Sequence, residues 1–284
     1  MRSQIVLSFP RGMRIATLDE RRRYYASDFN VSGLSTWIGQ KSGHVKFAMI
    51  LGRHTGLVSP KHALNKDDVM IIDDWDTAKD LRTYALNYLP ESMYYDRNRY
   101  IDVRKCVSCV KERSSCSACH NYDGQQLAFD LDPENVDCPY HGHIGQKIQS
   151  GRGLSFCMYE FKVVRRQAAS LRGLLAEQFE RVGVVYSGRG FHVVVDDERA
   201  YLLTKKERSS LARRYGRTFA IDEWVTAGGS RLMRLPYSLN GLVSRKCMVI
   251  KDGRDLLGFD PRSDREVIPD FLRSPLSARA DLLA

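Results

Sequence analysis

Two carboxylates stand one residue apart at the end of an apolar run, Leu127-Ala128-Phe129-Asp130-Leu131-Asp132. In a strand alternate side chains share a face, so Asp130 and Asp132 project together. Such a pair can chelate Mg²⁺ or Mn²⁺, hard cations that prefer oxygen ligands. Downstream, Val184-Val185-Tyr186-Ser187-Gly188-Arg189-Gly190-Phe191-His192-Val193-Val194-Val195 reads as two β-rich strands joined by Ser-Gly-Arg-Gly. That turn sets a permanent cation, Arg189, beside a hydrogen-bonding imidazole, His192. Metal-binding acids with a cationic, glycine-bordered turn are the apparatus of phosphoryl transfer from a nucleotide. Each piece alone has a plainer reading, an exposed loop pair or an ordinary hairpin turn.

A third segment sharpens the reading. Ala220-Ile221-Asp222-Glu223-Trp224-Val225-Thr226 precedes Arg231-Leu232-Met233-Arg234-Leu235-Pro236-Tyr237-Ser238-Leu239-Asn240. With it, the chain resembles the catalytic small subunit of archaeal and eukaryotic replicative primases, in the archaeo-eukaryotic primase superfamily. Three blocks run in the family order: hydrophobic-Asp-hydrophobic-Asp, then Ser-Gly-Arg-Gly-x-His, then a lone Asp ahead of Arg-Leu-Pro-x-Ser-Leu. Arg21-Arg22-Arg23-Tyr24-Tyr25, Val45-Lys46-Phe47-Ala48 and Phe259-Asp260-Pro261 resemble weaker family blocks.

The resemblance implies an α/β (α+β) fold, a mixed-sheet primase catalytic core with an inserted zinc-binding subdomain. It implies a template-directed nucleotidyltransferase, a DNA primase or primase-polymerase, making short primers on single-stranded DNA from nucleoside triphosphates. Asp130, Asp132 and Asp222 would be the catalytic carboxylates and hold two Mg²⁺ or Mn²⁺ ions. Ser187, Gly188, Arg189 and His192 would bind the nucleotide. The family continues after Leu-Pro-x-Ser-Leu with a His and, two residues on, a Lys. Here those positions are Asn240 and Leu242, so Asn240 with Arg245 or Lys246 is expected to complete the triphosphate grip. A primase large subunit is a candidate partner. Two other readings stay open: a gap-filling or mobile-element polymerase that only extends primers, and a non-catalytic, zinc-stabilised nucleic-acid-binding protein.

Seven cysteines, an odd number, fit metal binding in a reducing compartment better than a disulfide framework. Cys106, Cys109, Cys116 and Cys119 form two Cys-x2-Cys knuckles on a polar loop, the pattern of one tetrahedral Zn²⁺. A redox pair or an iron–sulfur centre is the alternative. Cys138, His141, His143 and Cys157 offer a second zinc set, where the resembled family often carries a zinc knob. Against it stand loop histidines with a buried Cys157, or a ligand lent by the upstream cysteines. Cys247 reads as a small core residue.

A chain of 284 residues, 43% hydrophobic, can bury a full core. Residues 1–284 read as one catalytic domain, with 104–121 a zinc-binding insertion and 137–158 a second zinc knob. A net charge of +10 suits a polyanionic partner, although a generally basic surface would give the same figure. No apolar run approaches the roughly 18–20 residues of a membrane span, and the first ten residues do not read as a signal peptide. The expectation is an intracellular protein, cytoplasmic or nucleoid-associated, or nuclear in a eukaryote. Thr17 or Asp19 should cap a helix through Arg21–Tyr25. Strands are expected at 45–51 and 69–72, and helices at 78–89, 160–181 and 207–214.

Overall fold

A computed structural model of the chain describes residues 7–41, 45–72, 74–102, 105, 119–228, 232–251 and 254–273. Thr17 and Glu20 form a reciprocal capping box that starts α1 (Leu18–Arg23). A π-helical turn, Tyr24–Asp28, leads to α2 (Val31–Gly39), capped by Asn30. Then come β1 (Phe47–Ile50), β2 (Val69–Ile72), α3 (Ala78–Tyr88) and β3 (Ser92–Asp96). Helix α3 stops where Leu89 turns left-handed (φ 48) ahead of Pro90. A ribbon follows, β4 (Asn98–Tyr100) with β5 (Tyr122–Gln125), and then β6 (Leu127–Leu131). Next are α4 (Ile144–Gln149), α5 (Met158–Ala176), β7 (Val182–Tyr186), β8 (Phe191–Val195), α6 (Glu198–Tyr201) and α7 (Lys205–Gly216). The remaining elements are α8 (Glu223–Thr226), β9 (Leu232–Arg234), β10 (Leu239–Asn240), β11 (Arg245–Lys246), β12 (Met248–Ile250) and α9 (Asp270–Arg273).

Two four-stranded sheets carry the fold, ordered β2-β1-β3-β9 and β12-β7-β8-β6. Among the described residues every strand pair is antiparallel, so the architecture is α+β with antiparallel rather than mixed sheets. Helical connections do join parallel strands, β2 to β3 through α3 and β6 to β7 through α4 and α5, but each pair is separated by an antiparallel strand, β1 or β8, so no two described neighbours run parallel.

Alternation along β6 and β8 decides what each face does. Leu127, Phe129 and Leu131, with Phe191, Val193 and Val195, bury against Phe161, Val164 and Leu171 of α5. Burying each large apolar side chain contributes about 2 kcal/mol. The other face carries Ala128 and Val194, which pack with Met93, Tyr95 and Met233 of the first sheet. Asp130 and His192 share that second face, so the carboxylate strand looks toward a neighbouring sheet and not toward a helix.

Helix α5 begins two residues before the sequence expectation, where Glu160 accepts the Cys157 backbone N–H at 2.6 Å. It ends five residues early because Asp197 accepts the N–H groups of Glu180 and Arg181 and draws the chain into β7. Cys247 is buried, as expected of a core residue.

Candidate active site

Asp130 lies directly opposite His192 in the β6–β8 ladder. The strand ends at Leu131, but Asp132 keeps extended backbone (φ −100, ψ 138) and so points to the same side. Both carboxylates line a cavity of about 150 Å³ between the two sheets. One wall adds Ser187, Arg189, His192 and Asn240; the opposite wall brings Tyr94 from β3 and Arg234 from β9. Asp222 joins from the side, its backbone N–H donating to the Asp130 carbonyl at 2.9 Å, beside a Leu131–Ile221 bridge. Its carboxylate also caps α8, accepting the Val225 N–H at 2.9 Å.

Electrostatics single out Asp130. Burial, then the like charges of Asp132 and Asp222, push its carboxyl well above the usual range, against the pull of Arg234 and Arg189. Its Oδ1 is buried without a hydrogen-bond partner, and His192 Nε2 stands 3.4 Å off. Asp130 and Asp132, with the orphaned oxygen, offer oxygen donors of the kind a hard divalent cation takes, whereas the Asp222 carboxylate caps α8 and does not line the cavity, so the three do not close into one ligand group. Burial, with Arg234 and Arg97 adding like charge, pushes His192 down to about 3. Near neutral pH it is therefore an uncharged hydrogen-bonding group, and the cations of the cleft are arginines.

The turn owes its shape to its glycines. Gly188 has φ +95, and a Cβ there would lie 2.5 Å from the Asn240 Cβ. A methyl group at Gly190 would overlap the Leu131 carbonyl oxygen, so only glycine lets the turn close on the carboxylate strand. Ser187 Oγ accepts the Gly190 N–H at 3.1 Å, and the Asn240 amide donates to the Ser187 carbonyl at 3.1 Å. Arg189 forms an ion pair with Glu134, just beyond the acidic pair. Arg234 donates to Ser92 Oγ at 2.5 Å and lies over the Tyr94 ring. The sequence offered Arg234 a signal, because it opens the Arg-Leu-Pro-x-Ser-Leu block. Nothing local marked Tyr94 or Glu134.

Arg245 does not reach the cleft. Its guanidinium is buried, donating to the carbonyls of Pro261 (2.6 Å) and Ser244 (2.9 Å), and so ties the late segment down. Lys246 pairs with Asp28, and Leu242 belongs to the core. The charge expected from this hairpin is absent from the cleft, where Arg234 stands on the opposite wall.

The second cysteine–histidine set closes differently from its sequence reading. Gly142 (φ +73) reverses the chain, with Cys138 and Gly142 exchanging backbone hydrogen bonds, and His141 folds back onto Cys138. Cys138 Sγ lies 3.9 Å from Cys157 Sγ and 3.5 Å from His141 Nδ1, which is 3.7 Å from a Glu160 oxygen. A tetrahedron with Zn–S bonds of about 2.3 Å has sulfur–sulfur edges of about 3.8 Å, so the spacing fits zinc. His143 turns away to cap α4, accepting the Gly145 N–H at 3.1 Å, and Glu160 takes its place in the group. Lys147 pairs with the other Glu160 oxygen at 2.7 Å, both side chains buried. Of the upstream set, Cys106, Cys109 and Cys116 lie outside the described residues, and Cys119 is half-buried just before β5.

One solved structure shares the fold. The polymerase domain of Mycobacterium tuberculosis Ligase D, solved in complex with DNA, matches with a TM-score of 0.51. The match covers 99% of this chain and 97% of that one, at 15% identity, a likeness of fold alone. Among curated proteins, an uncharacterized DNA primase small subunit-like protein of Archaeoglobus fulgidus is 47% identical over 94% of both chains. The DNA primase small subunit PriS of Thermococcus onnurineus is 27% identical over 70% of this chain, and that of Pyrococcus abyssi 25% over 70%. The aligned region spans 49% of each of those two longer relatives. No family model matches the chain. The chain belongs to the DNA primase small subunit-like family, within the archaeo-eukaryotic primase superfamily. Among the described residues no helix is long and apolar enough to cross a membrane.

Proposed function

We propose that this chain is a template-directed nucleotidyltransferase, a primase or primase-polymerase that makes short primers on single-stranded DNA. One observation carries the reading: Asp130 and Asp132 share a single cleft with Arg189 on their own wall and Arg234 on the opposite one, and the backbone of Asp222 abuts Asp130. Asp130, Asp132 and Asp222 would hold Mg²⁺ or Mn²⁺, which, when bound, activate the attacking hydroxyl and stabilise the leaving pyrophosphate.

The chain's own residues position and neutralise. Arg189 and Arg234 present guanidinium groups from opposite walls to a triphosphate lying between them. Glu134 keeps Arg189 oriented, and phosphate oxygens take its place when nucleotide enters. Neutral His192 adds hydrogen bonding without charge, Ser187 a hydroxyl, and Asn240 holds the turn by its amide. Cys138, His141, Cys157 and Glu160 would hold a structural Zn²⁺ that fastens the 138–142 turn to the head of α5. Cys106, Cys109, Cys116 and Cys119 stay a proposal for a first zinc site. The relatives' designation as small subunits makes a large-subunit partner part of this reading.

A primer-extending polymerase is the second reading, favoured by the burial of Leu242 at the position where the resembled family has a lysine. Incubation with unprimed and with primed single-stranded template, ribonucleotides and deoxyribonucleotides supplied separately, decides between them. Product on unprimed template supports primase activity, and product on primed template alone supports extension. No product on either refutes both and leaves a nucleic-acid-binding role.

A further inference from the structure

Helix α7 buries Arg208, Ala212 and Tyr215. Half a turn around the helix, Lys206, Ser210, Arg213 and Arg217 follow one another at helical spacing and are all exposed. A solvated helix face ordinarily interleaves acids with bases at i, i+4. Here the acid within α7, Glu207, is committed to the capping box with Thr204, and among the described residues neither it nor any other acid forms an ion pair with Lys206, Arg213 or Arg217. Arg214 differs, since its guanidinium lies over the Tyr215 ring.

The last turn of α7 packs against α8, where Glu223 lies over Gly216. Beside it Trp224 is 66% exposed, two residues past Asp222. An uncovered indole two residues along the chain from Asp222, on a helix packed against the one that carries the basic stripe, gives the pair two complementary surfaces to offer. The stripe matches phosphates, and the ring matches a base face, which only an unpaired strand exposes.

We propose that the outer face of α7 and Trp224 form the track on which single-stranded template lies as it leaves the cleft. This rests on the polymerase reading for its direction but not for its binding. From Lys206 to Arg217 the stripe is about 17 Å long at 1.5 Å per residue, enough to meet several phosphates. Trp224 stacks on the base nearest Asp222.

The test is fluorescence anisotropy of a labelled single-stranded oligonucleotide across a salt series. The variants are Lys206→Gln/Arg213→Gln/Arg217→Gln, Trp224→Ala and Trp224→Phe. A control triple, Lys61→Gln/Lys79→Gln/Arg22→Gln, removes equal exposed charge elsewhere. The stripe variant should flatten the slope of log affinity against log salt by about 2, since each single-strand phosphate contact contributes about 0.7. Trp224→Ala should weaken binding about tenfold, and Trp224→Phe should restore most of it. Primer extension at saturating template should keep its turnover in the stripe variant, with the loss appearing in the template KM.

Equal losses in the stripe and control variants would overturn the track, as would a wild-type protein that binds no single-stranded DNA. An inactive wild type whose stripe variant still loses DNA affinity would sink the catalytic reading and leave the track standing.

Discussion

Gly190→Ala tests the cleft with one methyl group. That methyl would enter the space of the Leu131 carbonyl oxygen and stand 3.0 Å from Asp132 Oδ1. A carbon–oxygen contact settles near 3.3 Å, so the turn and β6 must part by about an ångström. Neither side yields easily. Leu131 is held opposite Phe191 in the ladder and bridges Ile221, while Gly190 is held by Ser187 through both its backbone groups. Overpacking of this kind costs about 1–3 kcal/mol, a fall in Tm of roughly 2–10 °C for a chain this size. The same displacement carries Arg189 away from Asp130 and Asp132, and an ångström of misplacement can cost about 10²-fold in rate. The assay is steady-state primer extension with Mg²⁺ or Mn²⁺, beside a thermal melt. Gly183→Ala serves as the control, because a methyl there meets Val194 at an ordinary 3.5 Å. A Gly190→Ala protein with kcat/KM within threefold of wild type and an unchanged Tm would refute the argument that this turn sets the cleft.

Asp130→Asn should cut nucleotide incorporation by at least about 10²-fold while the metal-free protein melts no lower than wild type, since the change relieves carboxylate crowding; near-normal incorporation would count against the site. Burial raises the Glu91 carboxyl, but the His54 ring and the Thr55 N–H and hydroxyl outweigh it and hold it at about 2, against an ordinary 4.5. A depressed carboxyl stabilises the fold above its unfolded value, and the contribution is lost as pH falls from about 4.5 through about 2. Urea unfolding between pH 6 and pH 2 should therefore show wild type losing about 3 kcal/mol more than Glu91→Gln, whereas parallel curves would contradict it. Cys157→Ser should carry one zinc fewer than wild type by elemental analysis and melt lower. Equal zinc content in the two proteins would remove Cys157 from the metal group.

Much of the local architecture is legible in the chain because it is set by neighbours a few residues apart. Thr17 with Glu20, the Pro90 stop after α3, and the alternation through β6 and β8 need no distant partner. The spacing of Asp130 and Asp132 and the glycines of the turn carry chemistry in residue type alone, and the structure gathers the two carboxylates with Ser187, Arg189, His192 and Asn240 at one cavity. Tertiary structure decided what local pattern could not encode. Pairing of β3 with β9 set Arg234 across the cleft, while Arg245, nearer in sequence to Asn240, was drawn to the Pro261 carbonyl. Burial beside two arginines, and not imidazole chemistry, made His192 neutral. In the cysteine–histidine loop, capping of α4 claimed His143 and the first turn of α5 delivered Glu160. Periodicity and turn chemistry act over a few residues and so are written along the chain. Which side chains end up opposite one another, and how much water they lose, depends on contacts between segments a hundred residues apart.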